Sequence, residues 1–231
     1  GVMQMNLVIS AGIAPRNEIA ELSSVANWFI SHTTSNPAMG QVDDSIIGTA
    51  ELTRSHVTYD KYHAMLLCQN TTVLPDFSDV GETGITGREC VSKLLQDTPI
   101  NFTRTPEWYK PNLAAYVNYD PTEIKTVIEQ GRLVSGVLDK KSIGKGANGG
   151  IYHIICNEYG ADKALDVMFN MQQMAIGHIL QYGYTIGIMD LMIPDSSKHE
   201  IDCIAADIIN KSKLITEELH NGEIIPPIGK T

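Results

Sequence analysis

Residues 135–150 read Ser135-Gly136-Val137-Leu138-Asp139-Lys140-Lys141-Ser142-Ile143-Gly144-Lys145-Gly146-Ala147-Asn148-Gly149-Gly150. Within them Gly144 to Gly149 fits G-x-G-x-x-G, after a predicted strand and before a predicted helix. Such a loop can cradle a pyrophosphate on backbone N–H groups at a helix N-terminus, in which case the fold would be a parallel, doubly wound α/β sheet. Three features of the surrounding sequence argue otherwise. The candidate strands precede the loop in a run and helices follow it, which is not βαβ alternation. The stretch from Asp162 to Asp166, where the acidic end of a second strand would lie, reads as helix. Lys140 and Lys141 also precede the glycines, where such a strand would be apolar. The loop is therefore read as a Gly-rich turn whose glycines supply positive φ and close backbone approach.

Working outward from the turn, candidate strands lie upstream at Pro99–Thr103, Leu113–Tyr119 and Arg132–Leu138. Thr86-Gly87-Arg88-Glu89 has the spacing of a capping box and opens a short helix through Val91, Leu94 and Leu95. Thr71–Thr86, rich in Asp, Gly, Pro, Ser and Thr, reads as a surface loop. Before it a helix is predicted over Tyr59–Cys68, with Thr58 as N-cap and Tyr62, Met65 and Leu66 inward. Gln4–Ser10 reads as a short strand or loop. Pro15 suits a first helical turn, with Ile19, Leu22, Ala26, Phe29 and Ile30 at helical spacing up to the break at Thr33–Pro37.

Downstream, Gly160 and Gly183 bracket a helix over Ala161–Tyr182 with apolar residues on more than one face, as a helix covered on two sides requires. Ser197-Lys198-His199-Glu200 has capping-box spacing and is expected to launch a last helix. That helix carries Ile201, Ile204, Ala205, Ile208, Ile215 and Leu219 on one stripe and ends at Gly222. The fold class that follows is α+β: a mixed first two thirds, then two long helices.

Composition narrows the function. With 43% hydrophobic and 19% charged residues the chain is an ordinary globular one, long enough at 231 residues for a real core. No apolar run approaches the ~20 residues that cross a bilayer. A net charge of -10 is the wrong sign for a domain that grips DNA alone, so any nucleic-acid contact must come from a local patch or from neighbouring chains. Lys140, Lys141 and Lys145 form the densest positive cluster, which is either simply solvated or a local phosphate contact.

Other chemistry is sparse. Cys68, Cys90, Cys156 and Cys203 lack zinc or redox spacing and read as reduced, buried thiols. Asp43-Asp44 has no third ligand nearby for a cation. His63, His153 and His178 read as packing or polar-tip residues, and Met168, Met171, Met174, Met189 and Met192 as fillers of core gaps. No Ser/His/Asp or Cys/His arrangement follows from spacing, and no catalytic residue is assigned.

The turn also carries a resemblance. Ser135–Gly144, then Gly149-Gly150-Ile151-Tyr152-His153-Ile154-Ile155 and Glu158-Tyr159-Gly160, resemble the pore domain of the largest subunit of eukaryotic-type RNA polymerases. Gly183-Tyr184-Thr185-Ile186-Gly187-Ile188-Met189-Asp190 is similar to the stretch that follows that family's first funnel helix. Upstream, Asn36-Pro37-Ala38-Met39-Gly40-Gln41-Val42-Asp43-Asp44 with Gly48 and Leu52-Thr53 is similar to the pore's opening motif. Met5-Asn6-Leu7 and Ala20-Glu21-Leu22-Ser23 look like the segment after the family's catalytic aspartate loop. Within the family, the Thr71–Thr86 loop and the Gln4–Ile9 spelling look more like the subunit of large cytoplasmic DNA viruses such as African swine fever virus.

The resemblance implies residues 1–35 as the end of an active-site domain, 36–160 as a pore domain and 161–231 as a truncated funnel. Lys140, Lys141 and Lys145 would line the secondary channel, which admits nucleoside triphosphates and accepts backtracked RNA. It further implies association with other polymerase subunits, especially the second-largest, and docking of a transcript-cleavage factor on the funnel. DNA would be met only through the whole enzyme. The compartment would be host cytoplasm and virion for a viral enzyme, or nucleus for a cellular one. The family's catalytic Mg²⁺ is bound by three aspartates just before the Met-Asn-Leu, where this chain has Gly1-Val2-Met3, read as a cloning remnant. The chain is thus expected to start downstream of the catalytic loop and to be inactive alone, with Mg²⁺ and structural Zn²⁺ held elsewhere in the full-length subunit. Two other classes stay in play: a dinucleotide-dependent enzyme built on Gly144–Gly149, and a standalone interaction module presenting the Ile201/Ile208/Ile215 stripe.

Overall fold

The computed structural model describes residues 7–113 and 118–222, without the side chains of Leu113 and Ser196. Two compact units emerge, Gly1–Gly183 and Tyr184–Thr231. Of the expected strand or loop at Gln4–Ser10, residues 4–6 lie outside the described residues, and residues 7–10 are irregular.

Helix α1 spans Ile13–Glu21, with Pro15 in its first turn and no buried residue. The expected single helix through Ile30 is broken. Asn27 Nδ2 donates to Glu21 O (2.6 Å) and Trp28 Nε1 to Leu22 O (2.8 Å), so side chains from the following 3-10 turn, Val25–Trp28, cap the last carbonyls. The extended Ser24 separates the two segments, and of this region's apolar residues Phe29 enters the core, 1% exposed.

Helix α2, Asp44–Leu52, was not foreseen, and its sequence explains why. Its buried positions are Ser45, Gly48, Thr49 and Leu52: helical spacing, but mostly small or polar residues. Strand β1, Thr58–Tyr59, follows, so Thr58 is not an N-cap. Asp60 caps α3, Lys61–Leu67, its Oδ1 accepting from His63 N at 2.8 Å. That two-residue shift of the cap turns the helix by about 200°. Ala64 and Leu67 therefore face inward, while Tyr62 and Met65 are exposed and Leu66 is half-buried.

The Thr71–Thr86 segment is a loop until Ile85–Thr86, which is strand β2, antiparallel to β1 with Thr58 opposite Thr86 and Tyr59 opposite Ile85. Thr86 then caps α4, Gly87–Leu94, by the capping box read from the sequence: Glu89 N donates to Thr86 Oγ1, and Thr86 N donates to Glu89 Oε2 (2.8 Å). A three-stranded antiparallel sheet is built from β3 (Phe102–Arg104), β4 (Thr126–Glu129) and β5 (Arg132–Ser135). Strand β4 was not expected. The expected strand at Leu113–Tyr119 is replaced where it is described: Pro111–Leu113 is a 3-10 turn, residues 118–119 are irregular, and 114–117 lie outside the described residues. Gln130 and Gly131, both at positive φ (49° and 75°), form the two-residue β4–β5 turn that matches strand twist.

The lysines lie on a one-turn helix, α5 (Lys140–Ile143), followed by the glycine turn and α6, Ile151–Tyr159. Helix α7 runs over Ala161–Tyr182 as read, and Gly160 and Gly183 at its ends take φ of 90° and 74°. It packs chiefly on α2 and α6, with α3 and α4 alongside. A Cβ at Gly48 would meet Ala175 O at 2.6 Å, so glycine there allows the two backbones to touch. Ala164, Val167, Met171, Met174 and Ala175 of α7 enter the core formed with Leu52, Leu67, Leu95, Ile128, Leu138 and Ile151. Phe169 instead stays exposed.

In the second unit, α8 covers Asp195–His220, starting before the Ser197 box, which therefore caps nothing. Ile201, Ile204, Ile208, Ile215 and Leu219 are each at least 50% exposed, and Met189 and Met192 are exposed too, against their expected role in a core. The α+β class stands: eight α-helices and two small antiparallel sheets among the described residues.

Candidate functional site

The lysine turn is held in place by its approach, by the chain facing it and by one side chain from β3. On the approach, Val137 and Leu138 are buried, and Leu138 N donates to Thr53 Oγ1 (3.1 Å) while Thr126 Oγ1 donates to Val137 O (2.9 Å). Gly136 (φ 93°) lets the strand leave β5 against the Thr126 backbone, where a Cβ has no room. Asp139, 7% exposed, then caps α5: Oδ1 accepts from Ser142 N (3.1 Å) and Ser142 Oγ (2.8 Å), and Oδ2 accepts from Glu107 N (2.7 Å).

The facing chain is the Pro37–Gln41 turn. Gln41 N donates to Ile143 O (2.9 Å), Lys145 N to Gln41 O (3.3 Å) and Gly146 N to Pro37 O (3.1 Å). The buried Gln41 amide continues inward, its Nε2 donating to Tyr152 Oη (3.0 Å) and Met168 O (2.9 Å). From β3, the Arg104 guanidinium donates to the carbonyls of Lys141 and of Asn148 (2.7 Å for the latter). Two motifs of the sequence, Pro-x-Met-Gly-Gln and the glycine turn, thus form one piece of structure.

That hydrogen bonding disposes of the dinucleotide reading. The amides of Gly144, Lys145, Gly146, Ala147 and Gly150 donate to carbonyls of Lys140, Gln41, Pro37, Gly144 and Ala147. Gly149 N donates to His153 Nδ1 at 3.1 Å. Those N–H groups are committed within the protein and cannot cradle a pyrophosphate. The segment before the glycines is also the helix α5, not a strand.

What the turn offers is side chains. Lys140, Lys141 and Lys145 are all exposed. Lys141 Nζ lies 3.4 Å from Glu107 Oε1, a half-exposed pair worth at most about 1 kcal/mol. Among the described residues Lys140 and Lys145 make no ion pair. The Lys140 and Lys145 ammonium groups, and that of Lys141 once its weak pair opens, can meet an anion on a chain of net charge -10. Sequence reasoning found the lysines but missed Gln41, Arg104 and Glu107, because nothing in local spacing ties them to residues 32 or more positions away.

The remaining candidates are structural. Tyr59 Oη lies 2.5 Å from Nδ1 of His178, and Tyr182 stacks on that ring at 5.0 Å between centroids. Burial pushes the Tyr59 hydroxyl's pKa up and the His178 imidazole's down, with Glu51 opposing the latter in part. Both rings are buried, so they join β1 to α7 rather than meet a substrate. His63 pairs with Asp60 on the surface (2.5 Å), and the His153 ring accepts from the glycine turn. Of the cysteines, all free, Cys68 and Cys90 are buried as read, but Cys156 is half-buried and Cys203 exposed.

A cleft of about 320 Å³ lies between α3 and the 74–78 loop, lined by Met65, Cys68, Leu74 and Phe77, and a polar one of about 930 Å³ lies beside α4 and β5. Neither is lined by the three lysines. Among the described residues no three His, Cys, Asp or Glu side chains converge to hold a metal, Asp43-Asp44 included. The described residues therefore do not fit the Mg²⁺ or Zn²⁺ that the resemblance implies for the full-length subunit.

Known protein sequences match this chain. The family described as RNA polymerase Rpb1, domain 3, matches residues 28–191, from the 3-10 turn before Phe29 to the segment preceding α8. A DNA-directed RNA polymerase RPB1 homolog from an African swine fever virus tick isolate is 40% identical over 99% of this chain and 16% of its own length. Its counterpart in the Vero-adapted Badajoz strain is 41% identical over the same shares. A DNA-directed RNA polymerase II subunit RPB1-B from Trypanosoma brucei brucei is 25% identical over 94% of this chain and 12% of its own length. The chain thus spans about a sixth of the viral relatives, and it is nearer to them than to the trypanosome subunit. With well over half of its residues matched by the family and the matched segment containing both halves of the lysine turn's anchor, the chain belongs to the RNA polymerase Rpb1, domain 3, family.

Proposed function

We propose that this chain is part of the largest subunit of a DNA-directed RNA polymerase and forms wall of its secondary channel. There Lys140, Lys141 and Lys145 meet the phosphates of incoming nucleoside triphosphates and of backtracked RNA. The observation that carries this reading is the division of labour within the turn. The amides of Gly144, Lys145, Gly146, Ala147, Gly149 and Gly150 are spent on internal anchors, and three lysine side chains are left exposed on a chain of net charge -10. A rigid turn carrying exposed ammonium groups suits a mobile polyanion that must pass without being retained, because each exposed contact is weak and screened by salt.

In this reading residues 1–35 end the active-site domain, residues 36–160 are the pore domain, and residues 161–231 begin the funnel. The nucleotidyl transfer and its Mg²⁺ belong to the rest of the enzyme, as does structural Zn²⁺. The second-largest subunit faces the pore, and a transcript-cleavage factor docks on the funnel. The polymerase works inside the host cell. The purified chain, supplied with Mg²⁺ and nucleoside triphosphates, extends no primer; extension would overturn this assignment of roles.

Charge reversal tests the lysines. Lys140→Glu with Lys141→Glu, in an assembled polymerase, should raise the KM for nucleoside triphosphates or slow transcript cleavage while leaving subunit assembly intact. Unchanged elongation and cleavage would remove these residues from the channel.

A second reading, a helical interaction module, has one observation in its favour: the uncovered Ile201/Ile208/Ile215 stripe of α8. It predicts that Ile204→Ser with Ile208→Ser abolishes association with a partner while the lysine reversals change nothing.

A further inference from the structure

Arg104 ends β3, and its guanidinium lies between two carbonyls seven positions apart in sequence, those of Lys141 and Asn148. The Lys141 carbonyl belongs to a helix of four residues, too short for its carbonyls to find partners within it. A single turn of helix does not sustain itself without outside contacts. Asp139 holds the start of α5, and Gln41 holds Ile143 and Lys145 from the inner side. The outer side of the arc from Lys141 to Asn148 is tied by Arg104.

The surroundings of Arg104 fit that task. Its guanidinium lies over the Phe102 ring, 5.6 Å from the centroid. Gly149 stands at φ 61°, and a Cβ there would come within 3.3 Å of Arg104 Nη2. A guanidinium can give two N–H groups in a fixed fork to two acceptors, whereas an ammonium on a flexible stem cannot reproduce that geometry. Arg104 also brings a fourth positive charge to the base of the turn, with Nη1 and Nη2 each donating to a backbone carbonyl.

We infer that Arg104 is the positioning residue of the lysine turn: by closing the 141–148 arc it fixes where the Lys141 and Lys145 ammonium groups meet a phosphate. This rests on the reading of those lysines as phosphate contacts.

The experiment uses the assembled polymerase with Arg104→Met, Arg104→Lys and the lysine-free Lys140→Ala, Lys141→Ala, Lys145→Ala variant, alone and combined. It measures KM and kcat for nucleoside triphosphates alongside the thermal midpoint of the complex. Arg104→Met should raise KM about fivefold with kcat little changed, the scale of coupling through one charged hydrogen-bonding side chain. Arg104→Lys should recover little of that loss, and Arg104→Met should add nothing in the lysine-free background. Wild-type KM in Arg104→Met or in Arg104→Lys overturns the inference and leaves the lysines untouched. A KM effect that persists in full without the lysines also overturns it, since Arg104 would then act on structure in general. Wild-type KM in the lysine-free enzyme removes the reading of the turn, and this inference with it. Should Arg104→Met fail to assemble, Gly149→Ala, which crowds Nη2, serves in its place with the same outcomes.

Discussion

Gln41 and Gly144, 103 positions apart, face each other as a parallel β-bridge, with Gln41 N donating to Ile143 O and Lys145 N to Gln41 O. The bridge leaves no room for a side chain at position 40: a Cβ on Gly40 would fall on the Gly144–Lys145 peptide. The Gln41 side chain then joins α6 to α7 through Tyr152 Oη and Met168 O. Gln41→Leu should cost about 1–3 kcal/mol, because the buried Tyr152 hydroxyl and the Met168 carbonyl lose their donor. The check is the urea midpoint at unchanged m-value. Gly40→Ala should cost at least about 1–3 kcal/mol, since backbone must move.

Tyr59 and His178 give the protein a pH-dependent term. Burial holds the His178 pKa below its ordinary value, so the folded state favours the neutral ring. An unfolded histidine takes up its proton near pH ~6.5. Stability from the neutral ring is therefore complete above that pH and falls as the pH drops through the lower folded value. His178→Gln should flatten the stability profile between roughly pH 7 and 5. Asp120, held low by the Ser55 hydroxyl, and Asp79, held low by Lys93, act separately, below about pH 4. Tyr59→Phe should destabilise by about 1–3 kcal/mol by leaving the buried Nδ1 without its partner.

Thr86→Ala should cost about 1 kcal/mol, because it removes one half of the capping box at α4. Thermal or urea unfolding measures it, and Glu89→Ala on the Thr86→Ala background should add less than it does alone.

That box shows where sequence was enough. Thr86-x-x-Glu89 and the Gly160 and Gly183 stops are local signals, read within one helical turn, and both were correct. Helix α2 was invisible because its buried face is Ser45, Gly48 and Thr49, chosen for close approach to α7 and not for hydrophobicity. The inward face of α3 was misread because Thr58 serves a strand pair with Thr86, which moves the cap to Asp60. For the site, the lysine cluster was legible as local charge density. Its anchors were not, since Gln41 and Arg104 reach it only through tertiary structure.

Thiol reactivity separates the cysteines. Burial pushes Cys90 up to about 12 and Cys68 up to about 11, so neither forms thiolate at neutral pH. Cys203 on α8 is exposed. In the native protein at pH 7.5 (roughly a unit below a free thiol's pKa), iodoacetamide should modify Cys203 first and reach Cys68 and Cys90 only on unfolding. Mass spectrometry of timed digests reads the order.

In the proposed function the lysine turn looks into the channel that carries RNA and nucleotides. The direct measurement is photo-crosslinking from an aryl azide at position 140 of the assembled polymerase, on elongation complexes stalled before and after backtracking. The account predicts a crosslink to the RNA 3′ segment that strengthens on backtracking and is competed by nucleoside triphosphate. A backtracked complex that crosslinks from a control position on α7 but not from position 140 would contradict it.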